Sequence, residues 1–431
     1  MRRAWLLAIG ATWLVLAGCD QLTGKKATKD DESEEDDEPK KKKKKKKDDG
    51  ATSSATASAS AAPTASASAS ASASEGDKGP MVTIPGGTLR AGASCGAVPR
   101  VTDEELVHPS IAMNEFSIDV YPFPNDPSRA PKTGVTRDEA AGLCREAGKR
   151  LCTELEWERA CKGSDNLTFE YTGNYDKDAC AAPAGLMPGK RQKCTSSFGV
   201  ADLHGLAFEW TASAWGRGTG ASLATVRGYQ GSSNVVRERC ASGAGRDPNK
   251  PGAEVGFRCC SGSENAAVVD LSLIKRDVLT ADDRVDPDLA RDLMKAMPQD
   301  HQTVDGAALS FDKIWRWHPR DNEELVLGRW TGRIGRNNPF FELVVFKVCG
   351  GVPARVARIR GPVEKLERLR QLDNARERLV FDVSTDKDRG EVKLAYWYGS
   401  VAVTQPDWIK EGNSIKARGP RLNPDKLRPK K

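Results

Sequence analysis

Apolar positions along this chain fall into contrasting regimes. Ala4 to Val15 is almost continuously apolar behind Met1-Arg2-Arg3, with Gly10 and Thr12 the interruptions. That run is too short to cross a bilayer comfortably, so it reads as the hydrophobic region of an export signal. Residues 24 to 80 then offer almost nothing to bury. Asp30 to Glu38 is acidic, Lys40 to Lys47 is unbroken lysine, and Ala51 to Ser74 is nearly all Ala, Ser and Thr. Such a segment cannot offset chain entropy and is expected to stay a disordered tether. From Met81 onward apolar periodicity returns. Thr136-Arg137-Asp138-Glu139 and Thr153-Glu154-Leu155-Glu156 each set a hydroxyl cap three positions before a carboxylate, which predicts two helix starts. Ala140, Leu143, Cys144 and Ala147 give the first helix an apolar face that Gly148 ends, and Trp157, Ala160 and Cys161 share one side of the second. Further on, Asp286-Pro287 predicts a helix to about Met297, and Pro362 to Leu372 predicts another. Strands are expected at Leu325 to Ile334, Phe340 to Val348, Arg355 to Ile359, Leu379 to Val383 and Glu391 to Tyr398, where Val392, Leu394 and Tyr396 share a face.

A length of 431 residues exceeds one ordinary domain, and the 38% hydrophobic and 29% charged fractions describe globular sequence diluted by the polar tether. Four parts are expected: 1–18 a signal peptide, 19–80 a linker, 81–262 a first folded domain, and 263–431 a β-rich accessory domain with a basic tail. At the first boundary, Leu16-Ala17-Gly18-Cys19 resembles the lipobox of bacterial lipoproteins. The resemblance implies that Cys19 receives the fatty-acylated lipid, becomes the mature N-terminus, and anchors the chain to a membrane of the cell envelope. Asp20 follows, a residue whose sorting meaning differs between lineages, so either leaflet is compatible. The lysine run could add about 1 kcal/mol per residue against anionic headgroups, but the neighbouring acidic run opposes it and a solvated spacer is favoured. Export argues against a nucleic-acid partner.

Beyond Cys19, cysteines stand at 95, 144, 152, 161, 180, 194, 240, 259, 260 and 349. There is no C-x-x-C pair and the chain has 4 histidines, so metal-ligand spacing is absent and structural disulfides are expected in an oxidising compartment.

Several segments carry a family likeness. Val135 to Gly163, VTRDEAAGLCREAGKRLCTELEWERACKG, resembles the signature of the formylglycine-generating enzymes, also called sulfatase-modifying factors. MVTIPGGT at Met81 to Thr88, FSIDVYPFPN at Phe116 to Asn125, FGVADLHGLAFEW at Phe198 to Trp210, and Gly256-Phe257-Arg258-Cys259 resemble further signatures in the family's order. The resemblance implies an α+β fold, mixed and C-type-lectin-like with much irregular loop, ahead of the accessory domain. It also implies the disulfides Cys144–Cys259 and Cys161–Cys240. Cys152 and Cys260 are a third candidate pair by proximity, and Cys180 and Cys194, flanking a Pro/Gly-rich loop, a fourth. Cys95 and Cys349 are either free or bridge the two units.

Enzymes of this family use oxygen and copper(I), held by two cysteines, to convert a sulfatase cysteine to formylglycine. Soft thiolates suit that ion, but the corresponding positions here are Gln230 and Val235. Copper is therefore not expected. Calcium is also doubtful, because Leu206 replaces an asparagine ligand and calcium wants six to eight oxygens. No cofactor is expected. Asp202, His204, Glu209 and Arg246 are the residual candidates for a site, with structural roles favoured for Asp202, His204 and Glu209. Trp157, Trp210 and Trp215 are expected in the core. These features predict an envelope lipoprotein whose domain binds a protein or glycan, or serves structurally, without the founding chemistry. The alternative is an enzyme of the same superfamily, oxidase or otherwise.

Overall fold

The computed structural model describes residues 79–418, except 184, 219–221, 266–268, 282–283, 298–302, 305–306, 309, 335–337, 362–364, 372–375, 385–388, 405–406 and 412–413. The expectations for Cys19, the signal peptide, the tether and most of the basic tail lie outside the described residues. No described helix is long and apolar enough to cross a membrane.

The first part of the chain runs β1 (Met81–Ile84), β2 (Gly87–Gly92), β3 (Val107–Met113), β4 (Phe116–Asp119), α1 (Arg137–Glu146), β5 (Arg150–Leu151), α2 (Glu154–Lys162), β6 (Leu206–Ala214), β7 (Ala224–Gln230), β8 (Gly243–Arg246), β9 (Val255–Phe257) and β10 (Cys259–Ser261). Both predicted helix starts form. Thr136 Oγ1 accepts from the Glu139 amide while the Glu139 carboxylate accepts from the Thr136 amide, and Thr153 and Glu156 repeat the arrangement. Each cap satisfies amides that have no intrahelical partner. The strands make sheets ordered β1-β4-β10-β5 and β8-β7-β6-β9, with β2-β3 as a separate hairpin. α1 meets the second sheet through Ala140 and Cys144 against Trp210, Val226 and Phe257. α2 meets the first through Trp157, Ala160 and Cys161 against Ile84, Phe116 and Ile118.

Five disulfides join Cys95 to Cys349, Cys144 to Cys259, Cys152 to Cys260, Cys161 to Cys240, and Cys180 to Cys194. Cys259 and Cys260 are neighbours on β10, whose side chains alternate between faces. Cys259 therefore lies among the α1 contacts and Cys260 among those of α2.

The C-terminal part holds β11 (Leu279–Ala281), α3 (Pro287–Lys295), β12 (Thr303–Val304), β13 (Ala307–Ala308), β14 (Lys313–Arg320), β15 (Glu323–Ile334), β16 (Asn338–Cys349), β17 (Val352–Gly361), β18 (Lys365–Gln371), β19 (Arg378–Ser384), β20 (Arg389–Trp397), β21 (Ser400–Thr404), β22 (Asp407–Glu411) and β23 (Ser414–Arg418). Sheets β11-β14-β15-β16-β17 and β18-β19-β20-β21 share one core, in which Trp317, Leu325, Leu327 and Val345 pack with Leu379, Phe381, Val392 and Leu394. α3 covers the opposite face, Leu293 packing with Val326, Trp330 and Val344. A strand buried on both faces needs apolar residues at successive positions, which explains Leu325-Val326-Leu327. The helix expected over Pro362 to Leu372 is not formed in its described residues, Lys365 to Gln371. Residues Lys365 to Gln371 are β18, paired antiparallel with β19 from Lys365↔Ser384 to Gln371↔Leu379. Ladder hydrogen bonds to the next strand have overridden a helix-favouring composition. All these elements belong to one compact unit, Ser74–Lys431.

Candidate functional site

α2 departs most from the amphipathic pattern, because all of its residues are buried, the charged ones included. Glu156 pairs with Arg150, Glu158 and Lys162 pair within the helix, and Arg159 donates to the carbonyls of Thr88 and Gly163. Glu154 accepts from Arg217 at 2.6 and 3.0 Å and from Arg227 at 2.6 Å. Glu158 accepts from Arg227 at 2.9 Å and from the Gly92 amide at 2.7 Å, and pairs with Lys162 at 3.0 Å. Lys162 also donates to the carbonyls of Arg90 and Gly92. The helix is thus a charged strut among β2, β6 and β7, with its ions removed from water and hydrogen-bonded, the condition under which burial of charge is tolerated.

Burial alone would raise the pKa of Glu158, but Lys162 and Arg227 bring it below its ordinary 4.5. A carboxylate whose folded pKa is lowered contributes stability above its unfolded pKa and loses it as pH falls through the folded one. Thermal unfolding should therefore move to lower temperature on acidification below about pH 4.5. A Glu158→Gln variant should be less stable at neutral pH and respond more weakly to acid. An unchanged acid slope in that variant would count against Glu158 as a source.

The segment before β6 holds the sequence candidates. Asp202 Oδ1 accepts from Arg191 Nη2 at 2.7 Å, and its Oδ2 accepts from the Gly189 amide at 2.5 Å. His204 is wholly buried, edge-on to Trp157 at 5.5 Å between ring centroids. Gly205, at φ +92°, has the Cys180 carbonyl 2.0 Å from where a Cβ would stand, so only glycine lets the disulfide loop close on this turn. Glu209 Oε2 accepts from Trp157 Nε1 and Arg258 Nε at 2.7 Å each, and its Oε1 from Arg258 Nη2 at 2.8 Å. Both oxygens are committed to buried donors and Leu206 supplies none, so this pair does not fit a calcium site. Arg246 stands apart, partly exposed, paired with Glu254 at 3.3 Å and over the Phe208 ring. Arg191 joins Asp202 to the His204 carbonyl and Trp157 joins His204 to Glu209, so three of the candidates belong to one buried network of structural contacts, in which Arg246 has no part. Trp157, Trp210 and Trp215 are core.

Sequence reasoning missed Glu170. It is buried, with Oε1 2.6 Å from Cys180 Sγ and also touching Cys194 Sγ, and Oε2 3.4 Å from His204 Nδ1. Burial pushes its pKa above the usual carboxylate range, and His204 opposes that shift. Nothing in the local sequence marks Glu170, because its neighbours come from three separate segments.

The two positions that would hold copper also part company. Gln230, exposed at the end of β7, lines a cleft of about 340 Å³ with Pro131, Thr133, Leu186 and Gly205. Val235 lines a different cleft with His108, Phe169, Tyr175 and Arg239. Neither residue offers a thiolate, and all ten cysteines from Cys95 to Cys349 are in disulfides, so these residues do not fit copper(I).

Residues 123–262 match the family model described as the sulfatase-modifying factor enzyme 1-like domain. That stretch is similar to the formylglycine-generating enzymes over less than half of the chain. Among curated proteins it resembles the inactive C-alpha-formylglycine-generating enzyme 2 of Mus musculus, 30% identical over 152 residues, which is 30% of this chain and 49% of the relative. It also resembles the same protein of Bos taurus, 30% identical over 154 residues, 31% of this chain and 50% of that one. The chain thus spans about half the length of these curated relatives. Solved structures similar to it include PvdO from Pseudomonas aeruginosa, at 21% identity, TM-score 0.35, covering 42% of this chain and 93% of that one. The variable protein 1 of Treponema denticola aligns at 15% identity, TM-score 0.34, covering 42% of this chain and 94% of its own.

Proposed function

We propose that this protein is a membrane-anchored envelope lipoprotein whose formylglycine-generating-enzyme-like domain is a non-catalytic binding or structural module. The carrying observation is the sulfur inventory. Gln230 and Val235 occupy the positions implied for the copper pair, while every cysteine from Cys95 onward is committed to a disulfide. Relatives whose names describe inactive formylglycine-generating enzymes support the same reading. The cleft beside Val235, with Phe169, Tyr175, His108 and Asn174 at its wall, has the mixture of aromatic and polar groups that suits a peptide or glycan. The lipid on Cys19 would hold this surface at the membrane, with residues 20–80 as the spacer.

Two measurements on the full chain test the proposal. Purified protein, given copper(I), oxygen and a sulfatase-type cysteine peptide, should generate no aldehyde and should not outcompete a copper(I) chelator. Aldehyde formation, or one tightly held copper per chain, would overturn the non-catalytic reading. In the native cell, Cys19→Ser should move the protein from the membrane fraction to the soluble fraction. Retention in the membrane fraction would remove the lipid anchor from the account.

A further inference from the structure

We infer that Glu170, His204, Cys180 and Cys194 form a latent zinc site, which becomes available when the Cys180–Cys194 disulfide is reduced. The inference is independent of whether the domain is catalytic.

Geometry comes first. The ligand-type atoms of Glu170, Cys180 and Cys194 lie within 4.8 Å of one another, as do those of Cys161, Glu170 and His204, so Glu170 is common to both groups. Glu170 Oε2 faces His204 Nδ1 at 3.4 Å, and His204 Nε2 is buried without a hydrogen-bond partner. Such groups are rare in folded proteins, because an unsatisfied buried polar atom keeps its full desolvation cost. A disulfide has no need of a carboxylate against its sulfurs, and the His204 ring stands on the other oxygen of that carboxylate. Two thiolates, an imidazole and a carboxylate, by contrast, are a tetrahedral zinc donor set.

The surroundings brace these donors. Arg191 donates to the carbonyl oxygens of both Cys180 and His204, and its guanidinium is itself held by Asp202. One side chain thereby ties together two of the segments that carry ligand atoms, the outer-layer support that orients first ligands in metal sites. Its positive charge also compensates the anionic donors.

Of the five disulfides, Cys180–Cys194 spans the shortest sequence separation, 14, against 79 for Cys161–Cys240 and more for the rest. Closure of a short loop restricts the unfolded chain least, so opening this bond sacrifices the least stability of the five. Cys161 therefore stays oxidised with Cys240, and Cys180 and Cys194 supply the sulfurs. The cleft lined by Ala182, Pro183 and Gly205 adjoins both ligand segments and offers an approach.

The chemistry balances with a dithiol as reductant. The dithiol gives two electrons and two protons to the Cys180–Cys194 bond and leaves as its own disulfide. Zinc then displaces the two thiol protons to solvent and takes both thiolates, with Glu170 and His204 completing its shell.

The test uses the full chain, reduced in graded steps with a phosphine under argon, the phosphine taking oxygen from water to become its oxide. Peptide mapping after thiol labelling should show Cys180 and Cys194 modified before any other pair. Added zinc should block that labelling and bind one per chain. Cobalt(II) in its place should give thiolate charge-transfer and tetrahedral ligand-field bands. Glu170→Gln and His204→Gln should each weaken zinc binding by about tenfold or more, with folding checked by circular dichroism. A Cys180→Ser/Cys194→Ser double variant should bind none. The proposal is overturned if protein mapped as reduced at Cys180 and Cys194 binds no zinc, or if the double variant binds zinc as well as the parent. It also fails if that pair opens only after the other disulfides. Should the double variant misfold, unchanged affinity in both single variants is equally fatal.

Discussion

Glu154→Gln is expected to lower folding stability by about 3–5 kcal/mol, the scale seen when one partner of a buried ion pair is removed. Glu154 is wholly buried and faces two guanidiniums, each at most 5% exposed. Arg217 would lose the negative charge it faces and keep the carbonyls of Glu104 and Trp215 and its stack on the Trp215 ring. Arg227 would keep Glu158 and the carbonyls of Cys240 and Ser242. Glutamine preserves shape and one acceptor oxygen, so the loss reports charge rather than packing. Urea unfolding of the variant and the parent measures it. A loss below about 1 kcal/mol, the scale of an exposed ion pair, would mean that the strut around α2 is far better hydrated than its geometry indicates.

The second large effect is expected at Cys95–Cys349, alone among the five disulfides in reaching the C-terminal sheets. It closes a sequence separation of 254, the longest of the set. Its removal by Cys95→Ser/Cys349→Ser should cost about 2–4 kcal/mol. The noncovalent contacts near it are modest, the Arg100 amide donating to the Tyr398 carbonyl at 2.9 Å and Asp103 lying 3.7 Å from a partly exposed Arg320. Calorimetry should therefore resolve two transitions in the variant, the β-rich part melting separately. A single transition at the parental temperature would show that these contacts suffice without the bond.

Local patterns in the sequence carried the fold a long way. Thr136 with Glu139, Thr153 with Glu156, and Asp286 with Pro287 mark helix starts because capping is settled within three residues of chain. The strand expected from Leu325 is legible because Leu325-Val326-Leu327 is buried on both faces and must be apolar. The exception at Lys365 to Gln371 shows the limit. Leucines spaced among Arg and Glu satisfy a helical period, and only the register with β19 decides otherwise. α2 fails for a related reason. Its Trp157, Ala160 and Cys161 face is correctly apolar, but the rest of the helix reads as a solvated face. Arg217, Arg227, Gly92 and Arg90, distant in sequence, make burial of that face possible. The cluster around Glu170 was invisible for the same cause, since metal-ligand spacing is a local signal and these donors come from scattered loops. The missing copper cysteines, in contrast, could be read directly, because absence of a side chain at a motif position requires no folding to interpret.

The neighbouring sulfurs of Cys259 and Cys260 have a consequence for biogenesis. Each must select its own partner, Cys144 or Cys152, although the wrong thiol is always one residue away. Exchanging them would turn β10 over and carry one core face into the other. Oxidation of the reduced chain without a shuffling catalyst should therefore yield scrambled, protease-sensitive chains. A disulfide isomerase would be a determinant of yield as much as any residue of the protein.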